Sequence, residues 1–278
     1  PTTFNVLTLE KASSAGTAKL ASNISVPTLN MVTGTLFTYA NTLTITNTRT
    51  GNGEIMGNIQ RVHSFTTGVD YAFESPYNTV NFSAVSGVTS VTVSVATGTI
   101  NDFPFGGSIS RVYDIDVPAG TYTATLKLHY RDPELNGNVE STMALWHYNG
   151  SIWVASGSTG NSTTNNYVEQ SGLTNITDRW TLSDNANVVQ WNGSVSSDWN
   201  TAANWTAVQG SPSTPPSASD IVNLGTAAFT NQPTISTAVT VKNILFGSTQ
   251  AVTLSLGSGG ELTVGDIHGQ WASNMGHT

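Results

Sequence analysis

Apolar and polar residues alternate with period two along most of this chain, the spacing that puts successive side chains on opposite faces of an extended strand. Val91-Thr92-Val93-Ser94-Val95 alternates without a break, as does Tyr113-Asp114-Ile115-Asp116-Val117, which runs into a turn at Pro118-Ala119-Gly120. The return strand is Thr121 to Tyr130, with Tyr122, Ala124, Leu126, Leu128 and Tyr130 on one face. The clearest hairpin joins Leu145-Trp146-His147-Tyr148 to Ser151-Ile152-Trp153-Val154 through Asn149-Gly150, a pair suited to the two positive-φ positions of a type I′ turn. Helical periodicity is almost absent. Short β-branched runs with regular turns between them predict an antiparallel β-sandwich over residues 54–187.

The flanks carry a different rhythm. Residues 24–47 and 235–267 consist of short apolar strands at close intervals, broken by Gly and Asn, as in Val239-Thr240-Val241 and Leu254-Ser255-Leu256. Such spacing suits β-solenoid rungs, each of which buries its faces only against its neighbours. The reading is all-β: a central antiparallel β-sandwich flanked by short β-solenoid-like tracts, residues 1–53 on one side and 188–278 on the other. Extra strands of ordinary sandwiches are the competing account of the flanks. Within the second flank, Trp191, Trp199 and Trp205 crowd one short segment, and Gly210-Ser211-Pro212-Ser213-Thr214-Pro215-Pro216-Ser217 reads as a linker.

Composition narrows the function. Only 9% of residues are charged, but hydrophobic content of 38% is too high for a disordered chain. Lys+Arg number 9 against 17 Asp+Glu, so the basic footprint that holds a phosphate backbone or an anionic membrane is missing. Nucleic acid is therefore excluded as an expected partner, and no apolar run is long enough to predict membrane insertion. With no cysteine, disulfides and thiolate zinc sites are ruled out. The opening Pro1-Thr2-Thr3-Phe4 has neither Met nor an apolar leader, which fits a processed chain or a piece of a longer one.

Two stretches resemble known proteins. Trp191 to Trp205, followed by the Pro-rich segment and Asp220-Ile221-Val222, resembles the lead-in to solenoid segments in large repetitive bacterial surface proteins. His129-Tyr130-Arg131-Asp132-Pro133-Glu134-Leu135-Asn136-Gly137, continuing through Leu145–Trp153 to Asp178-Arg179-Trp180-Thr181-Leu182, resembles a module of the same proteins. These are adhesin-like secreted proteins of the Bacteroidota type, many exported as type IX cargo. The resemblance covers roughly residues 54–205. It implies a cell-surface or secreted location and a β architecture, and it transfers no catalytic residues.

Two sites are candidates for binding. Asp132, Glu134, Asn136, Asn138 and Glu140 set oxygen ligands at alternate positions around Gly137, as a calcium loop requires. Pro133 and the lack of an acid at the twelfth position depart from that pattern, and a solvated turn bending at Asn136-Gly137 explains the same residues. Trp146, Trp153, Trp191, Trp199 and Trp205 could form a glycan-stacking platform, or pack a core and cap a solenoid end. For catalysis the inventory is thin. His63, His129, His147, His268 and His277 show no metal-binding spacing, Gly157-Ser158-Thr159-Gly160 falls one residue short of a nucleophile elbow, and Asp114 and Asp116 share a solvent face.

The expectation is a non-enzymatic extracellular structural protein without a cofactor. Its partner is itself, through head-to-tail β contacts in a filament or surface assembly, or the adjacent modules of a long adhesin. A lectin-like module is the alternative.

Overall fold

A computed structural model describes residues 4–103, 107–150, 153–184, 187–247 and 249–265. His268, His277 and the end of the second flank lie outside the described residues. The chain is all-β, and it divides into two compact units: residues 1–100, 109–141 and 158–182 in the first, residues 101–108, 142–157 and 183–278 in the second.

The first unit begins as a parallel stack. Strands β1 (Val6–Leu9), β2 (Thr17–Lys19), β3 (Ile24–Met31), β4 (Thr35–Thr50) and β5 (Glu54–Val62) follow one another. Val6 pairs with Thr28, Thr17 with Thr35, Ile24 with Leu43 and Thr35 with Glu54, all parallel. Offsets of roughly 20 residues between partners are those of solenoid rungs, in which each turn of chain covers the last. Val26, Leu29, Leu43, Ile45, Ile55 and Ile59 lose all solvent contact within this stack. Its corners rest on glycine: Thr35 N–H donates to the Gly16 carbonyl and Glu54 N–H to the Gly34 carbonyl, so Gly16, Gly34 and Gly53 recur at equivalent places in successive turns.

β5 also starts the sandwich. Its other edge pairs antiparallel with β8 (Ser90–Thr97), so one strand closes the parallel stack and opens the antiparallel sheet. Beyond β8 lie β9 (Arg111–Asp116) and β15 (Asp178–Ser183), giving the order β1-β3-β4-β5-β8-β9-β15 within this unit. The facing sheet runs β13-β14-β10-β7-β6, from β6 (Asp70–Ala72), β7 (Thr79–Ser86), β10 (Thr121–His129), β13 (Gly160–Ser162) and β14 (Tyr167–Leu173). The alternation predicted from sequence is met on both sheets. Val91, Val93, Val95, Tyr113 and Ile115 are buried from one, Phe82, Ala124, Leu126 and Leu128 from the other, while Asp114 and Asp116 face solvent. One connection differs from the expectation. β9 and β10 lie in different sheets, so Pro118-Ala119-Gly120 carries the chain across the sandwich instead of closing a hairpin.

The second unit holds the hairpin of β11 (Ala144–Tyr148) and β12 (Trp153–Gly157). Tyr148 pairs with Trp153, so the connection spans Asn149 to Ile152, and of its first two residues only Gly150 has positive φ, at 86°. The Ser151-Ile152 start expected for the second strand lies outside the described residues. Asn136-Gly137 instead takes positive φ at both positions, 49° and 82°.

The same unit ends in a second parallel stack. β16 (Val188–Trp191) pairs antiparallel with β17 (Trp205–Gln209) and parallel with β18 (Ile221–Leu224). From there β18, β19 (Thr234–Ile235) and β20 (Ala238–Val241) form one turn, and β21 (Asn243–Phe246), β22 (Ser255–Leu256) and β23 (Glu261–Val264) form the next. Ile221 pairs with Asn243, Thr234 with Ser255 and Ala238 with Glu261, so the turns register face by face in three parallel ladders. The segment 210–217 is no inter-domain linker. It joins β17 to β18 inside this unit, and the buried Asp220 carboxylate accepts hydrogen bonds from Ser213 N–H at 3.2 Å, Ser217 N–H at 2.7 Å and Ser217 Oγ at 2.6 Å.

Candidate functional site

The strongest concentration of ionisable groups in the first unit is buried. β9 carries Arg111 in phase with Tyr113 and Ile115, so the same alternation that sends two apolar side chains inward sends a guanidinium with them. Arg111 has no solvent exposure. Its Nε donates to Glu134 Oε2 at 2.7 Å and its Nη2 to Glu134 Oε1 at 2.9 Å, a bidentate fork, while Nη1 reaches Glu74 Oε1 at 2.8 Å. Glu54, at the first position of β5, lies 3.6 Å from Nη2 and accepts from Arg131 Nε at 2.7 and 2.9 Å. His129 Nδ1 is 3.2 Å from both Glu74 oxygens, and Tyr113 donates its hydroxyl to the His129 carbonyl.

Burial alone would raise the Glu74 carboxyl pKa, but the nearby Arg111 charge and the His129 contact outweigh it and hold the group ionised far below the usual carboxylate range. Arg111 resolves the same way. Desolvation works against its charge, and Glu74 and Glu134 more than reverse that, pushing its pKa up. The network joins the parallel stack through Glu54 on β5, one sheet through Arg111 on β9, the facing sheet through His129 on β10, and the loop that follows β10 through Arg131 and Glu134.

Glu54, Glu74 and His129 present ligand atoms within 4.8 Å of one another, the one group of metal-ligand type among the described residues. The chemistry of the donors does not fit a cation. Arg111 already fills the space the carboxylates face, so an ion would have to displace a bidentate, fully buried guanidinium. The arrangement fastens elements together.

Residues expected to bind calcium are spent on this and neighbouring contacts. Asp132 to Glu134 form a single 3₁₀ turn whose Glu134 carboxylate is turned to Arg111 and also accepts from Arg131 N–H at 3.0 Å. Asp132 accepts from Asn166 Nδ2 at 2.5 Å, Asn138 donates to the Leu135 carbonyl at 2.8 Å, and Glu140 accepts from the Tyr130 hydroxyl at 2.9 Å. Asn136 supplies the first positive φ of the bend. Alternate positions along a sequence share a face only in an extended strand, and a 3₁₀ turn followed by a tight bend scatters them. The five residues are not brought together as a cage.

The tryptophans are core. Trp191 and Trp199 stack at 6.3 Å, and Trp205 meets them edge-on at 4.9 and 4.6 Å. Trp191 Nε1 donates to the Asn231 carbonyl and Trp205 Nε1 to the Trp199 carbonyl, each at 2.7 Å. Together with Val222, Leu224 and Ile235 they fill the start of the second stack. Trp146 and Trp153 sandwich the edge of Phe103 at 5.4 and 5.5 Å. None of the five is more than 5% exposed, so no indole face is open for a sugar to stack on. Of the two readings of these residues, packing is the one their burial fits, because rings this large remove more apolar area from water by meeting each other than by facing a solute.

Sequence reasoning missed Glu54, Glu74 and Arg111. One signal was available: Arg111 continues the inward phase of Tyr113 and Ile115, and an arginine on a buried phase requires a carboxylate partner. Which carboxylates, from loops far away in sequence, was not legible. No protein-family model, curated protein or solved structure matches this chain. Among the described residues no helix is long and apolar enough to cross a membrane, a statement that does not bear on β-barrels.

Proposed function

We propose that this chain is a non-enzymatic structural protein of the cell exterior that associates through the ends of its parallel stacks, adding copy to copy head to tail. The observation that carries the reading is the last turn of the second stack. Among the described residues β21, β22 and β23 pair with β18, β19 and β20, and no further ladder is described beyond β22 and β23, so these two reach their last described turn together. A turn at which ladders stop presents a row of backbone donors and acceptors, which another turn of the same geometry satisfies. A contact between unlike ends does not close on itself and so builds a fibre. Commitment of the buried charges of Arg111, Glu74 and Glu134 to one another supports a structural role over a chemical one. Resemblance to repetitive adhesin-like surface proteins supports the extracellular setting.

Electron microscopy of the purified chain, with light scattering for its mass, tests this. Fibres with a regular subunit repeat are expected. A monodisperse monomer at all concentrations would overturn self-assembly and assign the open ladders to adjoining modules of a longer adhesin.

A further inference from the structure

The first unit contains a cavity of about 300 Å³ whose wall carries a buried cation that makes no ion pair among the described residues. Arg61 sits on β5 in phase with Ile59 and is only 4% exposed. Its Nη1 donates to the Ala72 carbonyl at 3.0 Å and its Nη2 to the Asn47 carbonyl at 2.5 Å, with His63 Nε2 3.0 Å from Nη2. The guanidinium carbon lies 5.8 Å from the centre of the Tyr71 ring. Among the described residues no carboxylate forms an ion pair with it, and its Nε has no hydrogen-bond partner. A second buried guanidinium, Arg49, lines the same cavity and is held by the carbonyls of Gly51, Gly53 and Glu74. Desolvation, with no carboxylate to offset it, lowers the Arg61 pKa to about 10.

Carbonyl dipoles orient Arg61 but do not neutralise it, whereas Glu74 and Glu54 offset part of the Arg49 charge, and buried charge is ordinarily paired. Elsewhere in this unit the rule is kept: Arg111, equally buried, is matched by Glu74 and Glu134. The remaining wall is polar, with Asn47, Thr48, Thr66 and the His63 ring, and it includes the Asp70 carboxylate, which accepts from Asn81 Nδ2 at 2.7 Å. An anion of one charge would balance Arg61; a dianion would be opposed by Asp70. The volume is at the lower end of small-ligand sites and suits a group of about monosaccharide size.

We propose that this cavity binds a carboxylate carried on a small polar molecule, with Arg61 as the principal cation, Arg49 in support, and His63 and Thr48 at the ligand's polar edge. A planar guanidinium is matched geometrically to a carboxylate.

Calorimetric titration at low ionic strength with glucuronate, acetate and glucose reads the proposal directly. Glucuronate is expected to bind and glucose is not. Acetate binding as well would mean that the carboxylate alone is read, and glucuronate alone that its polar bearer is read too; either outcome sustains the site. R61Q is expected to weaken glucuronate roughly ten-fold or more, the loss typical of one charged hydrogen-bonding group. Should R61Q not fold, the His63 resonance of the unaltered protein, assigned with H63Q, decides. Its imidazole pKa, depressed by burial and by Arg61, must rise when glucuronate binds. Absence of heat with both anions, equal binding of glucose, or an unmoved His63 titration would overturn the assignment.

Discussion

Arg111 shows how a few residues bear on the stability of a chain with only 9% charged residues. Its guanidinium satisfies Glu134 in bidentate fashion and Glu74 singly, all within the sandwich core. Removing one partner of a buried pair is far more costly than its net contribution, because the charges left behind stay desolvated. R111M should therefore lower stability by about 3–5 kcal/mol in denaturant unfolding. The pH dependence gives a sharper test. In the parent protein the folded Glu74 pKa is depressed, so its stabilisation is complete above the ordinary value of about 4.3 and fades as pH falls through the much lower folded value. In R111M burial acts unopposed by Arg111 and raises that pKa, so the folded state binds the extra proton. The melting temperature of R111M relative to the parent should then rise as pH drops from neutrality towards 5, by the linkage of proton uptake to folding, the His63 contribution being common to both. A parallel acid response in the two proteins would refute this account.

At the scale of the element, the parallel stacks depend on corners where backbone passes close over backbone. Gly34 has φ of +92°, and a Cβ there would lie 2.6 Å from the Gly16 carbonyl oxygen of the turn below. Neither the conformation nor the clash can be relieved by moving a side chain. G34A should destabilise the first stack by more than ~1 kcal/mol, and amide hydrogen exchange should show lost protection in β2 and β4 first. Gly68, also at positive φ but with nothing near its Cβ position, is the control, since there only the conformational term applies. Bends belong to this scale as well. An Asn-Gly pair signals a tight bend, and Asn136-Gly137 takes positive φ at both positions.

For the whole molecule the question is what meets the last turn. Ser255 N–H donates to the Pro233 carbonyl and Gly257 N–H to the Ile235 carbonyl, so the backbone of Leu256 between them faces away from β19. Leu256 is 59% exposed. L256P removes one donor from that open side and adds a ring to it, a change that edge strands tolerate and central strands do not. The variant should fold with the parent's melting temperature while its mass in light scattering falls to that of the monomer. If it assembles as the parent does, β22 is not the joining edge. The net charge of −8 sets a further condition, because like-charged copies repel, and assembly should strengthen with added salt as that repulsion is screened.

What the sequence determined by itself is the part of the structure set by local periodicity. Period-two alternation assigned strands and their inward faces correctly at Val91–Val95 and along Thr121–Tyr130, because burying an apolar side requires that pattern whatever the partner strand is. The short broken runs at either end marked parallel stacks for a related reason, since only a turn laid on another turn covers strands that short. Tertiary structure alone decided the rest. It sent β9 and β10 to opposite sheets across the Pro118–Gly120 turn, closed Trp191, Trp199 and Trp205 onto one another, and turned Glu134 from an apparent calcium ligand into the partner of Arg111. Each of these depends on which distant segment arrives alongside, and a side chain's role follows from the charge and shape of that neighbour. The charge of Arg61 belongs to the same class: periodicity puts an arginine inside, but only the assembled walls reveal that no carboxylate among the described residues forms an ion pair with it.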